Sequence, residues 1–164
     1  PRTVDEYVGL LEAYRGQDEA QRLANPVWHI HGGRPPAEDL PVGFGLLLNL
    51  VSASHSEDPA ILWGFISRYA PGATPANHPF LDRLVRYAIA YYEDFVKPAR
   101  RFRLPDERER AALGDLAAAL ARLPADAGAE AIQNEVYEVG KAHGFEPLRD
   151  WFRALYETLL GQSQ

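Results

Sequence analysis

His29 and His31 are the first pair in the chain whose types and spacing could do chemistry. On an extended segment, residues two apart point the same way, and neutral imidazole is a common metal ligand. Glu38 or Asp39 would complete a trio of ligands. The alternative is a structural or exposed pair, because Gly32-Gly33-Arg34-Pro35-Pro36 follows at once and an irregular segment fixes neither ring. His55-Ser56-Glu57-Asp58 holds the residue types of a hydrolytic triad, yet adjacent residues do not present a nucleophile in line with a base. A helix start explains the same four residues, with Ser56 as the cap and the acids near the positive end of the helix dipole. Glu93 and Asp94, neighbours on a helix, point about 100° apart and make a poor acid-base pair. No glycine-rich phosphate loop occurs. The absence of cysteine excludes disulfides, thiolate zinc sites, a Cys nucleophile and a CxxC redox pair.

What survives is the chemistry of a binding surface. Lys97, Arg100, Arg101 and Arg103 place four cations within seven residues that contain no acid. The formal net charge of −6 hides this patch, since residues 1–60 carry −5, residues 61–104 carry +4 and residues 105–164 carry −5. Directly before the basic run stand Tyr87, Tyr91 and Tyr92. Guanidinium groups beside aromatic rings can grip phosphates while stacking on unpaired bases. Tyr87 and Tyr91 are one helical turn apart and lean toward the polar face, the alternative being that both rings are core. For the run itself the alternative is a solvated connector.

The elements that must position these residues are helical nearly throughout. In residues 77–96, Phe80, Leu81, Leu84, Val85, Ala88, Ile89, Tyr92, Phe95 and Val96 recur at steps of one, three and four and form one wide apolar face. Asn77 is the expected N-cap of that helix and Pro98 its end. Residues 44–53 read as a short buried helix, and Ser56 would cap a helix over 57–69 that stops at Pro71-Gly72. Asp106 and Glu109 have the spacing of a capping box. The helix they start carries Leu113, Leu116, Leu120 and Leu123 inward. A further helix holds Ile132, Val136 and Val139 and closes at Gly144, and the last runs from Pro147 through Trp151, Phe152 and Leu155 to Gly161.

Residues 25–41 form the longest irregular stretch, and strand patterns are nearly absent, so the predicted fold is all-α. The break at Arg103-Leu104-Pro105 divides it into helical subdomains at 1–104 and 105–164. At this size a fold buries roughly 70% of its extended-chain surface and needs no staple. No stretch reaches the roughly 18 apolar residues of a membrane span, and the first residues lack the apolar core of a signal peptide. A cytoplasmic protein without a membrane partner is expected. With no methionine, even at position 1, the chain is expected to be a processed product or a piece of a longer one.

Four segments carry a family resemblance: GFGLLLNLVSASHSEDPAILWGFISRYAP at 43–71, YAIAYYEDFVKPARRFRLP at 87–105, EAIQNEVYEVGK at 130–141 and LRDWFRALYETLLGQSQ at 148–164. Together they resemble, in the same order, the C-terminal part of class I lysyl-tRNA synthetases. The resemblance implies a helical anticodon-binding region of the α-helix cage kind, following a catalytic Rossmann domain with HIGH and KMSKS signatures. Neither signature occurs here, and the order His29-Ile30-His31-Gly32 is not the former. It also implies that ATP and lysine bind elsewhere in the full-length enzyme, that no cofactor binds here, and that the partners are tRNA(Lys) and the chain's own N-terminal catalytic domain. The family's short terminus beyond residues 160–162 is missing, so the second subdomain is expected to be truncated. No anticodon-reading residue falls on a matched motif, and the contacts are therefore chosen on physical grounds. Lys97, Arg100, Arg101 and Arg103 are assigned to phosphates, with Arg83 and Arg86 beside them on the preceding helix, and Trp151 or Phe152 to stacking. The competing readings are a helical protein-interaction module with a basic docking segment and a small metal-dependent enzyme built on His29 and His31.

Overall fold

Helical spacing of the apolar residues and the lack of strand patterning have the expected result. The computed structural model describes residues 2–162, and among them are nine α-helices and no strand. The chain divides into two units, one ending at Pro98 and the other beginning at Ala99, each with its own core. No helix among the described residues is long and apolar enough to cross a membrane.

The first unit holds α1 (Arg2–Arg15), α2 (Glu19–Ala24), α3 (Pro26–Ile30), α4 (Phe44–Ser54), α5 (Pro59–Tyr69) and α6 (Pro79–Tyr91). Its core joins Phe44, Leu47 and Val51 of α4 to Leu62 and Ile66 of α5 and to Leu81, Leu84, Val85 and Ala88 of α6. Each large side chain buried this way contributes about 1.5 to 3 kcal/mol. α6 continues as a π-helical turn, Tyr92–Val96, and a 3₁₀ turn, Lys97–Ala99.

Three local expectations for this unit are corrected. α5 starts at Pro59 and not at residue 57, because proline fits the first helical position and Asp58 caps it by accepting from the Ala60 amide at 2.8 Å. Ser56 instead accepts from the Asp58 amide at 3.2 Å. Asn77 does not cap α6, whose side-chain cap comes from Glu38: its carboxylate accepts from the amides of Phe80 and Leu81, both at 2.8 Å. Asn77 closes the preceding turn, accepting from the Thr74 amide and donating to the Gly72 carbonyl. The stretch 25–41 is not wholly irregular, since buried Asn25 caps α3 through the Val27 amide and Pro26 starts it.

The second unit holds α7 (Glu107–Arg122), α8 (Ala129–Ala142) and α9 (Arg149–Leu155), the last extended by a π-helical turn, Tyr156–Leu160, and closed by Gly161 at φ 65°. The expected capping box is formed, with Asp106 accepting from the Glu109 amide at 2.8 Å and Glu109 from the Asp106 amide at 2.9 Å. The inward face of α7 is Ala112, Leu116 and Ala119, whereas Leu120 and, on α8, Ile132 are exposed. Small side chains at the seam let α7 and α8 approach closely. Gly140 does the same between α8 and α9, because a Cβ there would lie 2.5 Å from Cδ1 of Trp151.

The expected boundary at residue 104 moves to the Pro98–Ala99 junction. Residues just after that junction are tied to the second unit: the Arg101 amide donates to the Gly161 carbonyl at 2.8 Å, and Arg103 is paired to Glu109 and Glu157.

Candidate nucleic-acid interface

In the first unit, the apolar face of α6 turned to the core leaves Arg83 and Arg86 exposed on the opposite side. Arg86 donates from Nε to Asp82 at 3.0 Å, one turn back, while Arg83 has no carboxylate partner among the described residues. Asp82 also accepts from the Trp63 indole at 2.9 Å, which anchors it. Lys97, at the end of the helix, pairs with Glu57, and the hydrogen bond to that carboxylate raises its pKa. In both pairs the cation is the more exposed partner.

The remaining cations of the run lie in the second unit and have three different environments. Arg100 is only 8% exposed, with its guanidinium 5.9 Å from the centre of the Phe102 ring. Arg101 is exposed, and its guanidinium also donates to the Arg100 carbonyl at 2.7 Å. Arg103 is engaged on every side of its fork: Nη1 and Nη2 donate to the Glu109 carboxylate at 2.6 and 2.8 Å, and Nε donates to Glu157 at 2.5 Å. The Arg103 bond is the main cause that lowers the Glu109 pKa, and the two carboxylates raise that of Arg103. Arg103, assigned to phosphate from the sequence, is thus held by two carboxylates. It clamps the segment after Ala99 to the start of α7 and to the turn that extends α9.

The stacking assignment of Trp151 is also corrected. The indole is 0% exposed, lies 5.1 Å from the Phe145 ring, and donates to the Val136 carbonyl at 2.9 Å. Phe152 is half-buried against the Tyr137 ring at 5.3 Å.

Rings that can reach a base lie instead along α6 and its π turn. Tyr87 is 57% exposed, Phe95 64% exposed, and half-buried Tyr91 sits 5.0 Å from Phe95. Phe95 has the spacing of a core residue in a regular helix. The wider π turn advances each residue by a smaller angle, so that Tyr92 stays buried while Phe95 turns outward. The Tyr87, Tyr91, Phe95 spacing was a signal for this stripe that the apolar pattern masked.

The histidine pair is not extended. His29 lies in α3 and His31 caps its end, so their side chains diverge by about 200° around the helix. His29 Nε2 is 2.8 Å from the Leu23 carbonyl oxygen and His31 Nε2 is 2.6 Å from the Tyr7 hydroxyl. Glu38 is spent on the start of α6 and Asp39 pairs with Arg15 at 2.8 Å. No group of three or more His, Asp or Glu suited to a metal occurs among the described residues.

Over its whole length the chain is 52% identical to the lysine–tRNA ligase of Roseobacter denitrificans, of which it covers 31%. It is 46% identical, over 99% of its length, to the lysine–tRNA ligase of Rickettsia bellii and 44% identical to that of Rickettsia felis, covering 32% of each. The chain thus spans about a third of the length of the curated relatives it matches. No family model matches it, and no solved structure does so significantly.

Proposed function

We propose that the chain is the tRNA-binding part of a class I lysine–tRNA ligase, acting in the cytoplasm to position tRNA(Lys) for aminoacylation. The observation that carries this reading is the match along the whole chain to lysine–tRNA ligases three times its length, by a region that is all helical. ATP and lysine then belong to a catalytic domain in the remainder of the enzyme, and this region's own N-terminal neighbour is a partner of it.

The physical mechanism is docking. Lys97, Arg83, Arg86 and Arg101 are exposed cations that meet backbone phosphates, which position an RNA without reading it. Tyr87, Tyr91 and Phe95 offer ring faces to unstacked bases, and Phe152 offers a ring edge in the second unit. If four phosphates are neutralised, affinity for a tRNA(Lys) transcript falls by roughly two orders of magnitude between 50 and 200 mM salt. Affinity that stays flat over that range overturns the reading. Binding to tRNA no tighter than to a polyanion of equal length favours the protein-interaction module instead.

A further inference from the structure

The first unit contains an open cavity of about 500 Å³, lined by His31, Arg34, Glu38, Asn77, Phe80 and Arg83. Two of these residues are exposed arginines with no carboxylate partner among the described residues, in a chain whose acids outnumber its cations by 23 to 17. Most other arginines of the unit are engaged: Arg2 with Glu6, Arg15 with Asp39, Arg86 with Asp82, and Arg22 with backbone carbonyls.

Other polar groups of the cavity have partners within the chain. Glu38 is the one acid in the lining; its two oxygens accept from the amides of Phe80 and Leu81, which closes the start of α6. Asn77 uses its amide on the preceding turn. His31 is held by the Tyr7 hydroxyl, and the Tyr7 ring packs 6.0 Å from Phe80, which fixes this wall. Arg34 and Arg83 are the two arginine side chains of the lining, and their guanidinium groups can donate to something from outside.

We infer that this cavity is a phosphate-binding site in which Arg34 and Arg83 together hold one phosphate of an RNA backbone. Guanidinium is the side-chain group whose fork matches phosphate oxygens. A volume of about 500 Å³ is more than a lone phosphate needs and falls in the range that admits a nucleotide-sized group. Phe80 supplies an aromatic surface beside the cations. The phosphate chemistry stands on this geometry alone. Its source in RNA rests on the function proposed above, and a free phosphate ester is the other source.

The test has two arms. Inorganic phosphate is titrated into the chain while the Nε–Hε NMR signals of its arginines are followed. The signals of Arg34 and Arg83 are expected to move together, and that of Arg86, tied to Asp82, to move less. Failure of the first two to move in concert overturns the site. In the second arm, R34Q/R83Q is compared with the unmodified chain for binding to a tRNA(Lys) transcript. The double variant is expected to bind roughly tenfold more weakly, with a salt slope shallower by about one. If phosphate moves both signals but the variant binds tRNA like the unmodified chain, the backbone assignment is wrong and the site takes free phosphate esters. If the unmodified chain binds no tRNA while phosphate moves both signals, the proposed function fails and the phosphate site stands. The variant's unchanged thermal unfolding confirms that a loss is local, and R34K/R83K, which keeps both charges but loses the forks, is expected to restore only part of the affinity.

Discussion

At the residue scale, charge and aromaticity in the sequence announce a capacity, and neighbours decide how it is used. Arg101 and Arg103 are two positions apart in one basic run, yet the first is exposed and the second is bound by two carboxylates. Glu109 therefore links stability to pH. Its pKa is depressed in the folded chain, so its contribution is complete above the ordinary carboxylate range and disappears as pH falls through the lowered value. Urea unfolding of the second unit, followed from about pH 6 to about pH 3, is expected to show this loss, and Glu109→Gln to flatten it. Trp151 shows the same division between type and place. As a sealed core ring it carries packing and one hydrogen bond, so Trp151→Ala is expected to lower stability by about 3 to 5 kcal/mol in chemical denaturation. A wild-type unfolding midpoint in that variant would show that the indole is not core.

At the element scale, α3 and α5 begin where proline and a side-chain acceptor agree. Asp58 before Pro59 and Asn25 before Pro26 are local solutions, readable from adjacent residues. α6 is different, because His78 supplies no side-chain cap and the acceptor is Glu38, far back in the chain. That bond pair pins the segment before α4 to the helix that carries Arg83, Arg86 and Tyr87. Glu38→Ala leaves two helix-start amides without their acceptor and is expected to cost about 1 to 3 kcal/mol, measured by thermal or urea unfolding. A change within about 0.5 kcal/mol would mean that water replaces the carboxylate without penalty. The π turn after α6 acts at this scale too, since it buries Tyr92 and exposes Phe95 within one turn.

At the scale of the whole molecule, the net charge of −6 does not tell where the charges lie. Six of its 23 acids hold the fold together, as helix caps at Asp18, Asp58 and Asp106 and as clamps at Glu38, Glu109 and Glu157. The cations that remain exposed, rather than the total, set the salt dependence of RNA binding. Arg101→Gln is therefore expected to reduce the salt slope of tRNA(Lys) binding by about one with little change in stability. Arg103→Gln is expected to lower the stability of the second unit and to leave the slope nearly unchanged. Equal effects of the two substitutions on the slope would return Arg103 to the phosphate contacts.

The sequence by itself determined the all-α class, the capping box at Asp106 and Glu109, the helix ends at Gly144 and Gly161, and the likeness to synthetase C-terminal regions, because these depend on residues close together or on pattern along the chain. Only the tertiary structure decided that Trp151 is core, that Arg103 is a clamp, that Glu38 caps α6, and that Arg34 and Arg83 line one cavity. Each of these is set by a partner many residues away. Periodicity measures which face of an element is apolar, but it does not contain the distance from that face to a charge or carbonyl on another element. Desolvation and pairing, which turn a residue type into a role, are functions of that distance.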